Sequence, residues 1–89
     1  MKKETAEWIS IASEELMAAK HLEKLNLHRM VCYHCQQCVE KAMKAFLVEK
    51  DKEFQRTHNI LDLKNMVVAS GVDIPLTNDE AVFLKNNIL

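Results

Sequence analysis

Tyr33-His34-Cys35-Gln36-Gln37-Cys38-Val39-Glu40-Lys41-Ala42-Met43-Lys44-Ala45-Phe46-Leu47 is the stretch of sequence that decides the fold. It contains neither glycine nor proline, and at about 100° per residue it plots as an amphipathic helix. Its apolar side chains, together with those of its N-terminal neighbours, lie within an arc of roughly 160° around the helix axis. That arc consists of Val31, Cys32, Cys35, Cys38, Val39, Ala42, Met43, Ala45 and Phe46. The sequence therefore predicts a helix that buries this arc and presents an imidazole, amides, ammonium groups and a phenol on its other face.

Composition points to one small helical domain. A chain of 89 residues predicts a single domain, close to the size at which one hydrophobic core becomes marginal. Hydrophobic residues make up 48% of the chain, which argues against disorder. One glycine and one proline, together with many alanine, leucine, methionine, glutamate and lysine residues, favour helices over strands.

Charge and hydropathy restrict the classes of function. The formal net charge is −1, so a general basic field for nucleic acid is absent, although a local basic patch is compatible with that balance. The apolar runs are far shorter than a membrane span, and Met1-Lys2-Lys3 is not followed by the apolar region of a signal peptide. We therefore expect a cytoplasmic protein with reduced thiols and no contact with a membrane.

Helical periodicity predicts two long helices in the N-terminal half. The first spans about residues 4–25, with Glu14 and Glu15 on a solvated face, and the second spans about residues 27–49. Asn26 interrupts the pattern and is expected to close the first helix in the left-handed conformation. Because the connection is so short, the two helices are predicted to be antiparallel neighbours.

Two further helices are predicted after a charged loop. Thr57 is the expected N-cap of the third helix, which ends at Ser70-Gly71. Thr77-Asn78-Asp79-Glu80 matches the capping box and starts a fourth helix, which stays strongly apolar as far as Leu89. We therefore predict an all-α, antiparallel up-down bundle of four helices that forms one domain over residues 1–89. Its apolar C-terminal surface implies either a second copy of the chain or a longer bundle whose final helix is missing here.

Three cysteines in the second predicted helix suggest a metal motif at first sight. Cys32, Cys35 and Cys38 form C-x2-C-x2-C, with His34 inside. A ferredoxin-type run needs a fourth cysteine, and the chain has three. A zinc knuckle needs a turn between its ligands, whereas this segment reads as helix. Buried cysteine behaves as a small hydrophobe, so we interpret the three thiols as core residues and expect no metal and no cofactor.

The polar face of the same helix is a candidate nucleotide-binding site. His34, Gln37, Lys41 and Lys44 lie within roughly 80° of arc, and their spacings of three and four stack them along one side. Lysine and arginine can hold a phosphate, an amide can read a base edge, and an aromatic ring can stack on a base. The candidate residues are Tyr33, His34, Gln37, Lys41, Lys44, Arg56 and His58. Spacing alone also fits a solvated face with Glu40 and Lys44 as an ion pair.

Arg29 and His34 form R-x4-H and are candidate catalytic residues. The arginine would bind the phosphate of a phosphodiester, and the imidazole would act as acid or base. Five positions along a helix separate the two side chains by about 140°, so they would converge only at an irregular helix start or across a dimer interface. The alternative is two exposed polar side chains at the beginning of a helix.

Two motifs, which follow one another along the chain, resemble the motifs of the HEPN domain family. The first is Tyr33-His34-x-Gln36-Gln37-x-x-Glu40-Lys41-x-x-Lys44-Ala45, and the second is Arg56-Thr57-His58-Asn59-Ile60-Leu61-Asp62-Leu63. The resemblance implies an antiparallel helical bundle that is commonly a homodimer. It also implies a partner, a minimal nucleotidyltransferase, in a module of the toxin–antitoxin type.

The resemblance implies three functions for the polar face. Nucleotide or RNA binding is the first, through the candidate residues above. A metal-independent ribonuclease toxin is the second, because many relatives use an R-x4–6-H motif; in them the motif normally lies in a later helix, whereas here it lies at Arg29 and His34. A helical dimerisation module without catalysis is the third. The family also usually continues for one more helix, which agrees with a truncated C-terminus.

Overall fold

The computed structural model describes residues 1–52 and 59–69, and this part of the chain consists of helices without strands. Helix α1 spans Lys3–Glu23, α2 spans His28–Glu49 and α3 spans Ile60–Ala69. The predicted all-α class is confirmed for these residues, and the bounds of α1 and α2 agree with the sequence within two residues. The predicted fourth helix and its capping box lie outside the described residues, so the count of four helices stays a prediction.

A tight turn at Asn26 makes α1 and α2 a hairpin. Asn26 has a φ of 57°, which confirms the predicted left-handed residue. The amide of Leu27 donates to the carbonyl of Leu22 at 3.3 Å, and the amide of Asn26 donates to Glu23 at 3.0 Å. These two bonds satisfy the last carbonyls of α1. The chain then reverses, and α2 packs antiparallel along α1.

Lys2 fastens the other end of the hairpin. Its backbone amide donates to Oε1 of Glu49 at 3.0 Å, and its Nζ donates to the carbonyl of Val48 at 3.1 Å and pairs with Asp51. The bond from the Lys2 amide holds the pKa of the Glu49 carboxyl below its usual range. The first residue before α1 is therefore tied to the last turn of α2, which fixes the register of the two helices.

Helix α3 packs on α2 and supplies most of the buried apolar core. The cluster consists of Met43, Leu47, Ile60, Leu63 and Val67. Leu47, Ile60 and Leu63 are fully buried, and burying one such side chain contributes about 1.5–3 kcal/mol. The apolar contacts of α2 with α3 thus lie on the C-terminal half of α2, at Met43 and Leu47, whereas Cys32 and Cys35 lie on its N-terminal half.

Asn59 caps α3. Its Oδ1 accepts from the amide of Leu61 at 3.0 Å and from the amide of Asp62 at 3.3 Å, which satisfies two of the donors that a helix start leaves open. The prediction of Thr57 as the cap of this helix is therefore wrong by two residues. Both side chains are good caps, and periodicity places a helix end only approximately.

None of the three helices is long and apolar enough to cross a membrane. This finding concerns residues 1–52 and 59–69.

Two adjacent valines on α3 test the position of the core. Val67→Ala removes two methyl groups from a side chain that is 2% exposed, so we expect a loss of about 2 kcal/mol in the free energy of unfolding, measured by urea denaturation. Val68→Ala is the matched control, because Val68 is 45% exposed and should change stability by less than about 0.5 kcal/mol. Equal losses for the two variants would contradict the described packing of α3.

Candidate functional site

Part of the polar face of α2 is buried. Gln36, Glu40 and Lys44 are buried, and Glu40 is fully so. Cys32 and Cys35 are exposed, and Cys38 is partly exposed. The prediction that the three cysteines belong to the core is therefore wrong.

The position of the neighbouring helices explains that correction. Helix α2 has α3 on the side of Met43 and Leu47 and α1 on the side of His34 and Lys41. These two neighbours enclose the polar stripe. Helix α3 packs on Val39 and Phe46 of the predicted apolar arc, while Cys32 and Cys35, in the N-terminal part of that arc, are exposed. Sequence periodicity measures the width of an apolar arc, but it does not state how many helices will pack against the remaining arc.

His34 pairs with a carboxylate of α1. Its Nδ1 lies 2.6 Å from Oε2 of Glu15, and the two side chains are 21% and 24% exposed. The ring of Tyr33 stands against His34 edge to face, with centroids 5.1 Å apart. A protonated Nδ1 donates to Glu15 and leaves the lone pair of Nε2 available, which is the state that a general base requires. The pair thus orients an imidazole that still reaches solvent.

Glu15 is a site residue that sequence analysis missed, because the sequence predicted it to lie on a solvated face. The sequence does contain one feature that predicts its position, which is its spacing from Trp8 along α1. Trp8 and Glu15 are seven residues apart and therefore lie on the same side of α1, two turns from each other. Since Trp8 belongs to the apolar stripe of α1, Glu15 also faces α2.

Lys41 and Lys44 meet Glu40 and Trp8. Nζ of Lys44 donates to Oε1 of Glu40 at 3.1 Å, which confirms the predicted ion pair, and Nζ of Lys41 is 3.7 Å from Oε2. The two ammonium groups also lie 5.8 Å and 5.4 Å from the centroid of the Trp8 ring, within the range of a cation–π contact. Two positive charges thus surround one buried carboxylate between the helices.

The structure places the other candidate residues as follows. Nε2 of Gln37 donates to Oε1 of Gln36 at 3.1 Å, and Gln37 remains partly exposed. Arg29 is exposed in the first turn of α2, so about 140° of helix rotation separates it from His34. Arg56 and His58 lie outside the described residues. Within residues 1–52 and 59–69, there is no group of three or more histidine, cysteine, aspartate or glutamate side chains that could hold a metal ion.

Comparison with known proteins identifies the family. The model of the HEPN domain matches residues 5–87. The chain belongs to the HEPN domain family. Among known relatives of this HEPN chain is a protein of Methanocaldococcus jannaschii that carries the name "Putative toxin MJ1304". It is 47% identical over 49 residues, which are 55% of the HEPN chain and 32% of the relative. The chain thus spans about a third of the length of that relative. No solved structure matches the HEPN chain.

The exposure of the cysteines is testable with a thiol reagent such as Ellman's reagent. The pKa of the Cys38 thiol is raised, first by burial and then by the nearby Cys35 and Glu15. At pH 8 Cys38 therefore carries less thiolate, and it should react more slowly than Cys32 and Cys35. We expect two fast thiols and one slow thiol in the folded HEPN chain.

Cys38→Ser is the control for this experiment, because it should remove the slow phase alone. In urea, all three thiols of the unfolded chain should react at one rate. Three thiols that are protected in the folded chain would contradict the described arrangement of α2.

Proposed function

We propose that this HEPN protein is of the toxin type, that it interacts with nucleotides or RNA through the polar face of α2, and that it acts in the cytoplasm with a minimal nucleotidyltransferase as partner. Membership of the family and a relative with the word toxin in its name support this class. The observation that carries the proposal is the contact between Glu15 and His34. A homodimer is part of the proposal, because the resemblance implies one.

The Glu15–His34 pair is suited to a ligand because it is only partly buried. About a fifth of the His34 side chain reaches solvent, so a ligand can approach the imidazole. The ring of Tyr33 beside it offers a face on which a base can stack. Gln37, one helical turn further along α2, offers an amide for hydrogen bonds to a base edge.

The two lysines contribute charge rather than direct contacts in this proposal. Lys44 is buried and donates to Glu40, so it is not positioned to hold a phosphate itself. Lys41 is more exposed than Lys44, at 15% of its side chain. Together the two ammonium groups offset the carboxylates of Glu40 and Glu15, so in this proposal the positive charge that attracts an anion to His34 comes from Arg56. Arg56 and His58 remain proposed members of the site.

The second candidate function is a metal-independent ribonuclease, and the geometry of His34 favours it over a module that only dimerises. A carboxylate that holds Nδ1 fixes the tautomer and the orientation of the imidazole and leaves Nε2 free to accept a proton. Arg29 would bind the phosphate, and it would come from a second copy of the chain because both residues lie on one continuous helix. This arrangement requires the proposed homodimer.

Ligand binding is tested by NMR titration with nucleotides and a short RNA. We expect shifts at Tyr33, His34 and Gln37, and smaller shifts at Lys41 and Lys44. Ser10, which is exposed on α1, serves as a reference that should not move. If no ligand shifts any of the five residues, the polar face of α2 is not a binding site, and co-elution with a nucleotidyltransferase would be the only remaining support for the partner.

Catalysis is tested by cleavage of RNA in the presence of EDTA, with Glu15→Gln as the variant and Glu14→Gln as its matched control. Glu15→Gln removes the charge that orients His34, so we expect a fall in rate of about 10-fold to 100-fold and a change in the pH profile. Glu14 is exposed and should leave the rate unchanged. His34→Ala should lower the rate by about 10²-fold to 10⁴-fold, and undiminished cleavage by this variant would exclude His34 as the catalytic base.

A further inference from the structure

The turn end of the α1–α2 hairpin, residues 20–30, concentrates positive charge at one end of the molecule. Lys20, Lys24 and Arg29 stand against a single acidic residue, Glu23, and His21 and His28 add two groups that can become positive. All six side chains are exposed. The whole chain, by contrast, has a formal net charge of −1, so the turn end differs in sign from the molecule as a whole.

These side chains are not used to hold the fold together. Within residues 1–52 and 59–69, the ion pairs of the structure involve Lys2, His34, Lys41 and Lys44, and none of them involves a side chain of the turn end. The lysines elsewhere that do pair with carboxylates show that the chain supplies acidic partners where the fold needs them. The turn end is left without such a partner.

The helix dipole explains only half of this charge. Lys20 and His21 lie in the last turn of α1, where a positive charge is favourable. His28 and Arg29 lie in the first turn of α2, where a positive charge is unfavourable, and that turn contains no acidic residue. Cations that weaken the start of a helix are better explained by an external anion than by the stability of the fold.

Exposed apolar side chains accompany the charge. Leu25 is 57% exposed and Leu27 is 46% exposed, and Met30 also reaches the surface. Basic groups next to apolar ones match a ligand that has both phosphates and uncharged faces, which is the chemistry of unpaired RNA. A purely ionic partner such as an acidic peptide would leave these apolar side chains in water.

We propose that the turn end is a contact surface for the phosphate backbone of single-stranded RNA and that it leads the strand to His34. His34 lies six residues after His28 on the same helix, which is about 9 Å along its axis. Because Arg29 and His34 are about 140° apart around α2, a strand held at the turn end reaches the proposed site by passing partway around the helix. This inference rests on the proposed function, and it adds Lys20 and Lys24 of α1 to Arg29, which is already proposed to bind a phosphate.

The test measures binding of a fluorescein-labelled single-stranded RNA by anisotropy over a series of salt concentrations. The variant is Lys20→Gln/Lys24→Gln, whose two residues are four apart and lie on one side of α1. We expect at least a fivefold loss of affinity at about 50 mM salt. We also expect the slope of log K against log salt to become shallower by about 0.7 for each lost phosphate contact.

The matched control is Lys3→Gln/Lys52→Gln, which removes the same charge from exposed positions at the opposite end of the hairpin and should change affinity less than twofold. Circular dichroism of both variants verifies the helices. Equal losses in the two variants, or none in the first, would overturn the inference while the proposed function stands. A wild-type chain that binds no RNA would overturn the inference together with the RNA-binding part of the proposed function. Stronger competition by polyglutamate than by unlabelled RNA would overturn the choice of RNA in favour of an acidic protein.

Discussion

The buried carboxylate of Glu40 is the constraint on which the rest of the structure depends. Its side chain has no exposure at all, and an ionised carboxylate in such a place requires cations close by. Lys44 and Lys41 supply them, and the Trp8 ring of α1 covers both ammonium groups. These contacts set the rotation of α2 about its axis. That rotation in turn brings His34 to Glu15.

The helices of this chain could be predicted from the sequence, but the environment of α2 could not. Periodicity and the scarcity of glycine and proline define α1 and α2, and Asn26 marks the turn because few other residues adopt a positive φ so readily. The position of α2 against α1 depends on paired charges on its polar face. In the sequence of α2 alone, these charged residues have the pattern of a solvent-exposed face. Lys41, Glu40 and Lys44 look exposed until Trp8 is placed over them. The cysteine arc, for the same reason, looks like core.

Only one member of the Glu15–His34 pair could be predicted from the sequence. His34 stands out in the sequence because it belongs to a motif on a helix whose direction is clear. Glu15 does not, since it lies 19 residues from His34 next to another glutamate, and what favours it over Glu14 is its spacing of seven residues from Trp8. Asn59 shows the same limit at a smaller scale, because two capping residues close together in sequence leave the choice between them to tertiary contacts.

The tie between Lys2 and the end of α2 has a consequence for the order of events during synthesis. The ribosome releases the chain from its N-terminus, so α1 emerges while the groups that it will face are still unmade. Trp8 and Thr5 cannot be covered until α2 has left the exit tunnel, and Lys2 finds Glu49 and Asp51 only after some fifty residues have been added. The nascent hairpin can therefore begin to pack at its turn, whereas the contacts of Lys2 form only when all of α2 is outside.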